Sequence, residues 1–252
     1  MNAKPERSFA ILLCFLSAMV PNVRGDGSIP IVSGLPVRHI HLSLSFSKDS
    51  ASSGIEDFDV CGLSAGVGFD LVPGRMTGLQ FAGIVAASDH FQGIQTSLLM
   101  PLAKRGEGIQ LSPVISWTQK HFAGLQISCI GNTASGVGVQ VALGFNASDD
   151  GLDVGSAHLT SGRESEWSGL QLAGIMNQAC DLDGVQLSMC YNYAVRCSGL
   201  QVSLRNDAEE LYGVQIGLLN TARAGAGVQI GLINLFGSGG DQLGLPLLNV
   251  RF

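Results

Sequence analysis

Apolar and polar positions alternate in a short phrase that recurs down the chain, Gly-apolar-Gln-apolar-small. It begins at Gly78 (GLQFA), Gly93 (GIQTS), Gly108 (GIQLS), Gly124 (GLQIS) and Gly138 (GVQVA). It resumes at Gly169 (GLQLA), Gly184 (GVQLS), Gly199 (GLQVS), Gly213 (GVQIG) and Gly227 (GVQIG). Degenerate copies stand at Gly62 (GLSAG), Gly151 (GLDVG) and Gly240 (GDQLG). Successive starts are about 15 residues apart, the step shortening before Gly151 and before Gly240 and lengthening after Gly151. Period-two alternation predicts a strand in each unit. The second and fourth positions, apolar in the clear copies except at Thr96, share one face, and Gln with a small residue shares the other. A strand of this length cannot bury a face alone, so the units must stack or pair with one another.

A second feature recurs seven or eight positions after the glycine of a unit: Asn132, Asn146, Asn177, Asn192, Asn206, Asn220 and Asn234. Asn suits the left-handed backbone of tight turns, and stacked Asn side chains also hydrogen-bond along a ladder. Ala87-Ser88-Asp89-His90 and Lys104-Arg105-Gly106-Glu107 read as turns between units. Two all-β architectures accommodate the pattern. In a parallel β-solenoid each unit of about 15 residues is one coil, and equivalent residues form columns. In an up-and-down outer-membrane barrel of roughly 14 strands, neighbours run antiparallel, and short turns alternate with longer loops. No such two-unit alternation is visible, and 3 Tyr and 2 Trp are few for two aromatic girdles. The solenoid is the expected fold, with the barrel as its alternative. The flat face of Gln, Ser and small residues is the expected contact surface.

The chain has 252 residues, 34 of them Gly, and only 13% charged residues, about half the usual share. With 46% hydrophobic residues, it is too apolar and too weakly charged for a disordered chain. Lys4, Arg7, the apolar run Phe9–Val20 and Val23-Arg24-Gly25 read as a cleaved export signal over residues 1–25. Its removal takes the net charge from −6 to about −8, leaving no basic cluster beyond Lys104-Arg105, which argues against nucleic acid. Residues 26–61 are expected to form an N-terminal strand or cap, 62–239 the tandem repeats, and 240–252 a degenerate repeat or cap. His39 to Phe46 alternates as a capping strand would.

The units GVQIGLLN (Gly213 to Asn220) and GVQIGLIN (Gly227 to Asn234) resemble a family of bacterial surface-repeat proteins with tandem G-L-Q-(I/L)-G-L-(V/I)-N units behind an export signal. The lead-in Asp57-Phe58-Asp59-Val60 and the ending Leu245-Pro246-Leu247-Leu248-Asn249 are also similar, so the resemblance spans roughly residues 55 to 252. It implies a cell-surface, outer-membrane or periplasmic location and brings no catalytic residue. The segment from Gly151 to Ser168, with Asp153 at the Gln position, departs from the pattern and reads as a loop on the solenoid wall.

Chemistry-bearing residues are sparse. The main expectation is structural: a ladder of Gln80, Gln95, Gln110, Gln126, Gln140, Gln171, Gln186, Gln201, Gln215 and Gln229. Gly62-Leu63-Ser64-Ala65-Gly66 matches a hydrolase nucleophile elbow, but no helical period follows it, and Ser64 falls at the Gln position of a unit. His39 and His41 share a strand face without a third metal ligand, since His90, His121 and His158 lie in separate units. Asp149-Asp150-Asp153 and Asp181-Asp183 read as solvated turns rather than calcium loops. Trp117 and Trp167 read as packing residues, and Cys190 as packed inside a unit. Cys180 and Cys197, in neighbouring units, form a candidate disulfide two residues out of register. The expectation is an exported protein with a structural or binding role, no catalysis and no cofactor. Its partner is a host or envelope macromolecule or a second copy.

Overall fold

The computed structural model describes residues 44–45, 60–148, 166–237 and 243–252. They form sixteen strands: β1 (Leu44–Ser45), β2 (Val60–Gly66), β3 (Phe69–Ala82), β4 (Val85–Ser97), β5 (Met100–Ser112), β6 (Ile115–Ser128), β7 (Gly131–Thr133), β8 (Gly136–Ala142), β9 (Phe145–Ser148), β10 (Glu166–Ala173), β11 (Met176–Ser188), β12 (Tyr191–Val202), β13 (Arg205–Leu211), β14 (Val214–Gly225), β15 (Gly227–Phe236) and β16 (Leu243–Arg251). Neighbours from β2 to β15 pair in parallel, so the protein is a β-solenoid of about 11 turns and the antiparallel barrel is excluded. The two antiparallel pairings lie at the ends, β1 on β2 and β16 on β15.

A typical turn is a two-residue corner followed by one long, bent strand, divided in two where β7 gives way to β8 and β13 to β14. Within β11 the inward side chains are Asn177, Ala179, Leu182 and Gln186, in register with Asn192, Ala194, Cys197 and Gln201 of β12. Alternation slips once, between Ala179 and Leu182, and there the strand bends. The stretches Ala87–His90 and Lys104–Glu107, expected as turns, are therefore strand. The bend is spread over a slip in alternation rather than closed by a turn. The longer units absorb their extra residue in bulges at the same place, between Val72 and Arg75 and opposite Ala103–Arg105 in β6.

Repeat glycines let the coils stack closely. Gly93 has φ 133°, and a Cβ there would lie 2.1 Å from the Gly78 carbonyl oxygen, so no other residue fits the column. The apolar core is a thin file at the bend, running through Met76, Phe91, Phe122, Trp167, Leu182, Cys197 and Leu211. Gly106 stands in this file without a side chain. Phe91 and Phe122, on the coils either side, fill the space and stack with centroids 6.3 Å apart.

The unit at Gly138 stacks directly on that at Gly169, Gln140 beside Gln171, so nothing from Gly151 onward is interposed. The Gly151 copy itself lies outside the described residues. At the far end β16 returns antiparallel, so the segment after Gly240 does not continue the repeat. Gly62 does begin a true coil, with Ser64 beside Gln80.

Candidate binding surfaces around two buried amide ladders

Alternation alone leaves undecided which face is buried, and the outcome runs against expectation: Gln points in and the aliphatic residues point out. All ten repeat glutamines are at most 1% exposed. Each Nε2 from Gln95 to Gln229 donates to Oε1 of the glutamine one coil earlier, at 2.6–2.9 Å, in an unbroken row back to Gln80. Second protons go to backbone carbonyls such as Leu102 and Thr221. Buried amides are tolerated because each but the last, whose Gln229 Oε1 has no partner, is satisfied, in the manner of stacked Gln and Asn in cross-β packing. The Gln and small-residue face is therefore the interior, and the expectation that it meets a partner is corrected.

The asparagines build a second row, inside the strands rather than in turns. From Asn132 to Asn220 each Nδ2 donates to Oδ1 of the asparagine one coil later, at 2.8–3.0 Å, ending on Asn234. The two rows point in opposite directions. Both are met at the far end by β16: Asn249 is buried in register with Gln229, and the Leu245 carbonyl accepts from Asn234. At the near end Ser64, 2% exposed, donates to Asp70 at 2.8 Å. Its hydroxyl lies inside a strand, not on a strand-to-helix turn.

Two outer surfaces remain. One carries the second and fourth positions of every coil, with no charged side chain among them. Leu79, Phe81, Ile94, Ile127, Ile216 and Ile230 are 36–50% exposed here. Along the corner, Leu98, Leu143, Met189, Leu204, Leu218 and Leu232 add further exposed apolar area. Monomers rarely leave so long an apolar surface in water.

The other surface flanks the bend. Arg75, His90, Arg105 and His121 occupy one column on four successive coils, and Gln92 and Glu107 stand in the parallel column two residues on. Between the columns runs a groove of about 630 Å3, with Phe91 and Gly106 in its lining and Lys120, beside the β6 bulge, also lining it. Lys104 nearby is paired with Asp89 at 2.8 Å. In later coils the same column holds Glu166, Asp181, Arg196 and Glu210. Several charges in these coils are paired, Arg196 with Glu210, Arg205 with Asp207, and Arg223 with Glu209, while Glu166 stacks on Asp181. Tyr191 and Tyr193 donate to Asp207 and Glu209. Burial, then the Glu209 charge and hydrogen bond, raise Tyr193 to about 12, and burial with Asp207 raises Tyr191 as well.

The basic column escapes a sequence reading because its members are isolated along the chain. Their spacing matches the repeat step, and that is the signal that could have found them. His90 and His121, in separate units, are brought to one surface with Arg105 between them. Among the described residues no group of three or more His, Cys, Asp or Glu is placed to hold a metal. His39, His41, His158, Asp149, Asp150 and Asp153 lie outside what the structure describes. Asp181 and Asp183 lie on strand β11, not in a turn. Trp167 is fully buried in the core file, whereas Trp117 is half-buried. Cys180 is not joined to Cys197: the register sets Cys197 against Leu182, leaving Cys180 at the bend. Burial pushes the Cys197 thiol up to about 12. Cys190 is exposed at a corner rather than packed.

Comparison of the chain with protein-family models, curated proteins and solved structures returned no match. Among the described residues no helix is long and apolar enough to cross a membrane.

Proposed function

We propose that this chain is an exported repeat protein of the bacterial envelope with a structural and binding role and no catalytic one. The observation that carries the reading is the inside-out unit. Repeat amides are consumed in internal ladders, and repeat aliphatics are displayed in charge-free columns on the outside. Exposing apolar surface costs about 25 cal/mol per Å2, a cost that covering the face removes. A partner of the envelope therefore covers this face in the working state. The export-like start and the resemblance of GVQIGLLN and GVQIGLIN to bacterial surface repeats support the address.

The full chain, expressed in a Gram-negative host with its start intact, is expected to lose the segment ending at Gly25 and to sediment with the envelope. Charging the apolar face with Ile127→Asp and Ile216→Asp, both on exposed positions, is expected to release it into the soluble exported fraction. A chain retained in the cytoplasm, or a variant that sediments like the parent, would overturn the reading.

A further inference from the structure

The groove at Arg105 joins three features: one basic group per coil, a polar opposite wall, and a shortage of acidic partners. Arg105, Lys120, His90 and His121 make no ion pair among the described residues, and of the side chains lining the groove only Glu107 is acidic. Adjacent strands lie about 4.8 Å apart, so the four-residue column spans about 14 Å along the stacking direction. The net charge of −6 means that this patch attracts anions locally, against the field of the rest of the molecule.

We propose that the groove binds a linear acidic polysaccharide laid along the stack, its acid groups on the Arg75–His121 column and its hydroxyls on the opposite wall. This deepens the binding role argued above and rests on it. A pyranose ring advances a chain by about one strand spacing, which matches one acidic sugar to one coil. Glu107 and Gln92, hydrogen-bonded to each other at 3.3 Å, supply acceptors suited to sugar hydroxyls. Single-stranded nucleic acid fits less well. Its bases need exposed aromatic faces, and the one phenyl ring in the lining, Phe91, is buried. The site is bounded, because the column turns acidic at Glu166 and Asp181 and repels a longer polyanion.

The test uses the full chain, with polygalacturonate as probe and neutral dextran as control. Polygalacturonate is expected to bind and to weaken as salt rises, and dextran to remain unbound. Arg105→Ala with Lys120→Ala is expected to weaken binding about tenfold or more with circular dichroism unchanged, while Arg105→Lys retains most of it. Arg196→Ala removes the same charge from the same column in the acidic half and is expected to change nothing. Equal losses from Arg196→Ala, no loss from the double variant, tighter binding of a single-stranded oligonucleotide, or full competition by inorganic phosphate at matched charge would each overturn the proposal. A chain that sediments with the envelope yet ignores polygalacturonate sinks the groove and leaves the envelope reading standing. Polygalacturonate binding by a chain that never leaves the cytoplasm does the reverse.

Discussion

The coils before Asn132 and the coils after it are built from the same unit, yet they solve two problems differently. In the first half only the glutamine row is continuous. The column that later holds asparagine carries Ala86 and, in register with Asn132, Ser116. In the second half both rows run to the end. Outside, the order is reversed: the first half carries a basic column in which His90, Arg105 and His121 make no ion pair among the described residues, whereas beyond the acidic Glu166 and Asp181 the second half pairs Arg196 with Glu210 and Arg223 with Glu209 from coil to coil. The half with fewer internal hydrogen bonds is the half with the distinctive surface. A solenoid can specialise one segment, since each coil answers only to its neighbours.

The largest expected effect comes from cutting a row. Gln110→Leu strands Gln95 Oε1, takes the shared acceptor of Gln126 Nε2 and the Thr118 hydroxyl and leaves them only their long 3.5 Å contact with each other, and it does so where no asparagine row backs the coil. A loss of about 3–6 kcal/mol is expected by denaturant titration, with amide exchange rising first in the coils before Asn132. Asn206→Leu leaves the glutamine row whole and removes the donor to Asn220 Oδ1 and the Ile216 carbonyl, while Asn192 Nδ2 and the Ser203 hydroxyl, which lose an acceptor, keep the Val202 and Arg205 carbonyls, for a smaller loss of about 2–4 kcal/mol. Gln119→Leu, at the β6 bulge, is expected to cost less than either. Equal effects from Gln110→Leu and Asn206→Leu would erase the distinction between the halves.

A gain is expected at the boundary. The Ser116 hydroxyl and Asn132 Oδ1 are both buried without a partner. Ser116→Asn extends the asparagine row by one rung, supplies Asn132 with a donor, and is expected to stabilise the protein by about 1 kcal/mol. A fall in stability would show that the first half excludes the second row for steric reasons.

The smallest effect concerns alkaline pH, and it belongs to the second half. The fold holds Cys197 up from 9.0 to about 12, chiefly by burial, and Tyr193 up from 10.0 to about 12. The unfolded chain ionises first, so the stability from these groups is complete below about pH 9 and is lost as pH rises toward 12. Exchange in coils β11–β14 is expected to accelerate over that window before exchange in β3–β6. Alkylation of native protein at pH 8 is expected to label exposed Cys61, Cys129 and Cys190 and to spare Cys197 until unfolding.

Much of the fold was legible because a repeat step is a register. The spacing from Gln80 to Gln95, one full step, already sets them side by side once coils stack in parallel. The orientation of the unit was not legible. A strand with aliphatics on one face and Gln on the other is ordinarily read with its aliphatics inward, and what reverses this is collective: an amide buried alone is costly, whereas ten in a row satisfy one another. The basic groove was hidden for a related reason, since Arg75 and His121 are distant in sequence and form a surface only through the columns.

The rows also make chain length a free variable. Every rung uses one donor and one acceptor, so a run of any length leaves one surplus carbonyl, and these are the atoms found unpaired: Gln229 Oε1 at the last coil and Asn132 Oδ1 where the asparagine row starts. Duplicating or deleting a whole unit in the interior leaves that tally unchanged. Such a protein can grow or shrink by slippage of its own coding repeats and remain foldable, with selection acting on reach and on what the outer columns display.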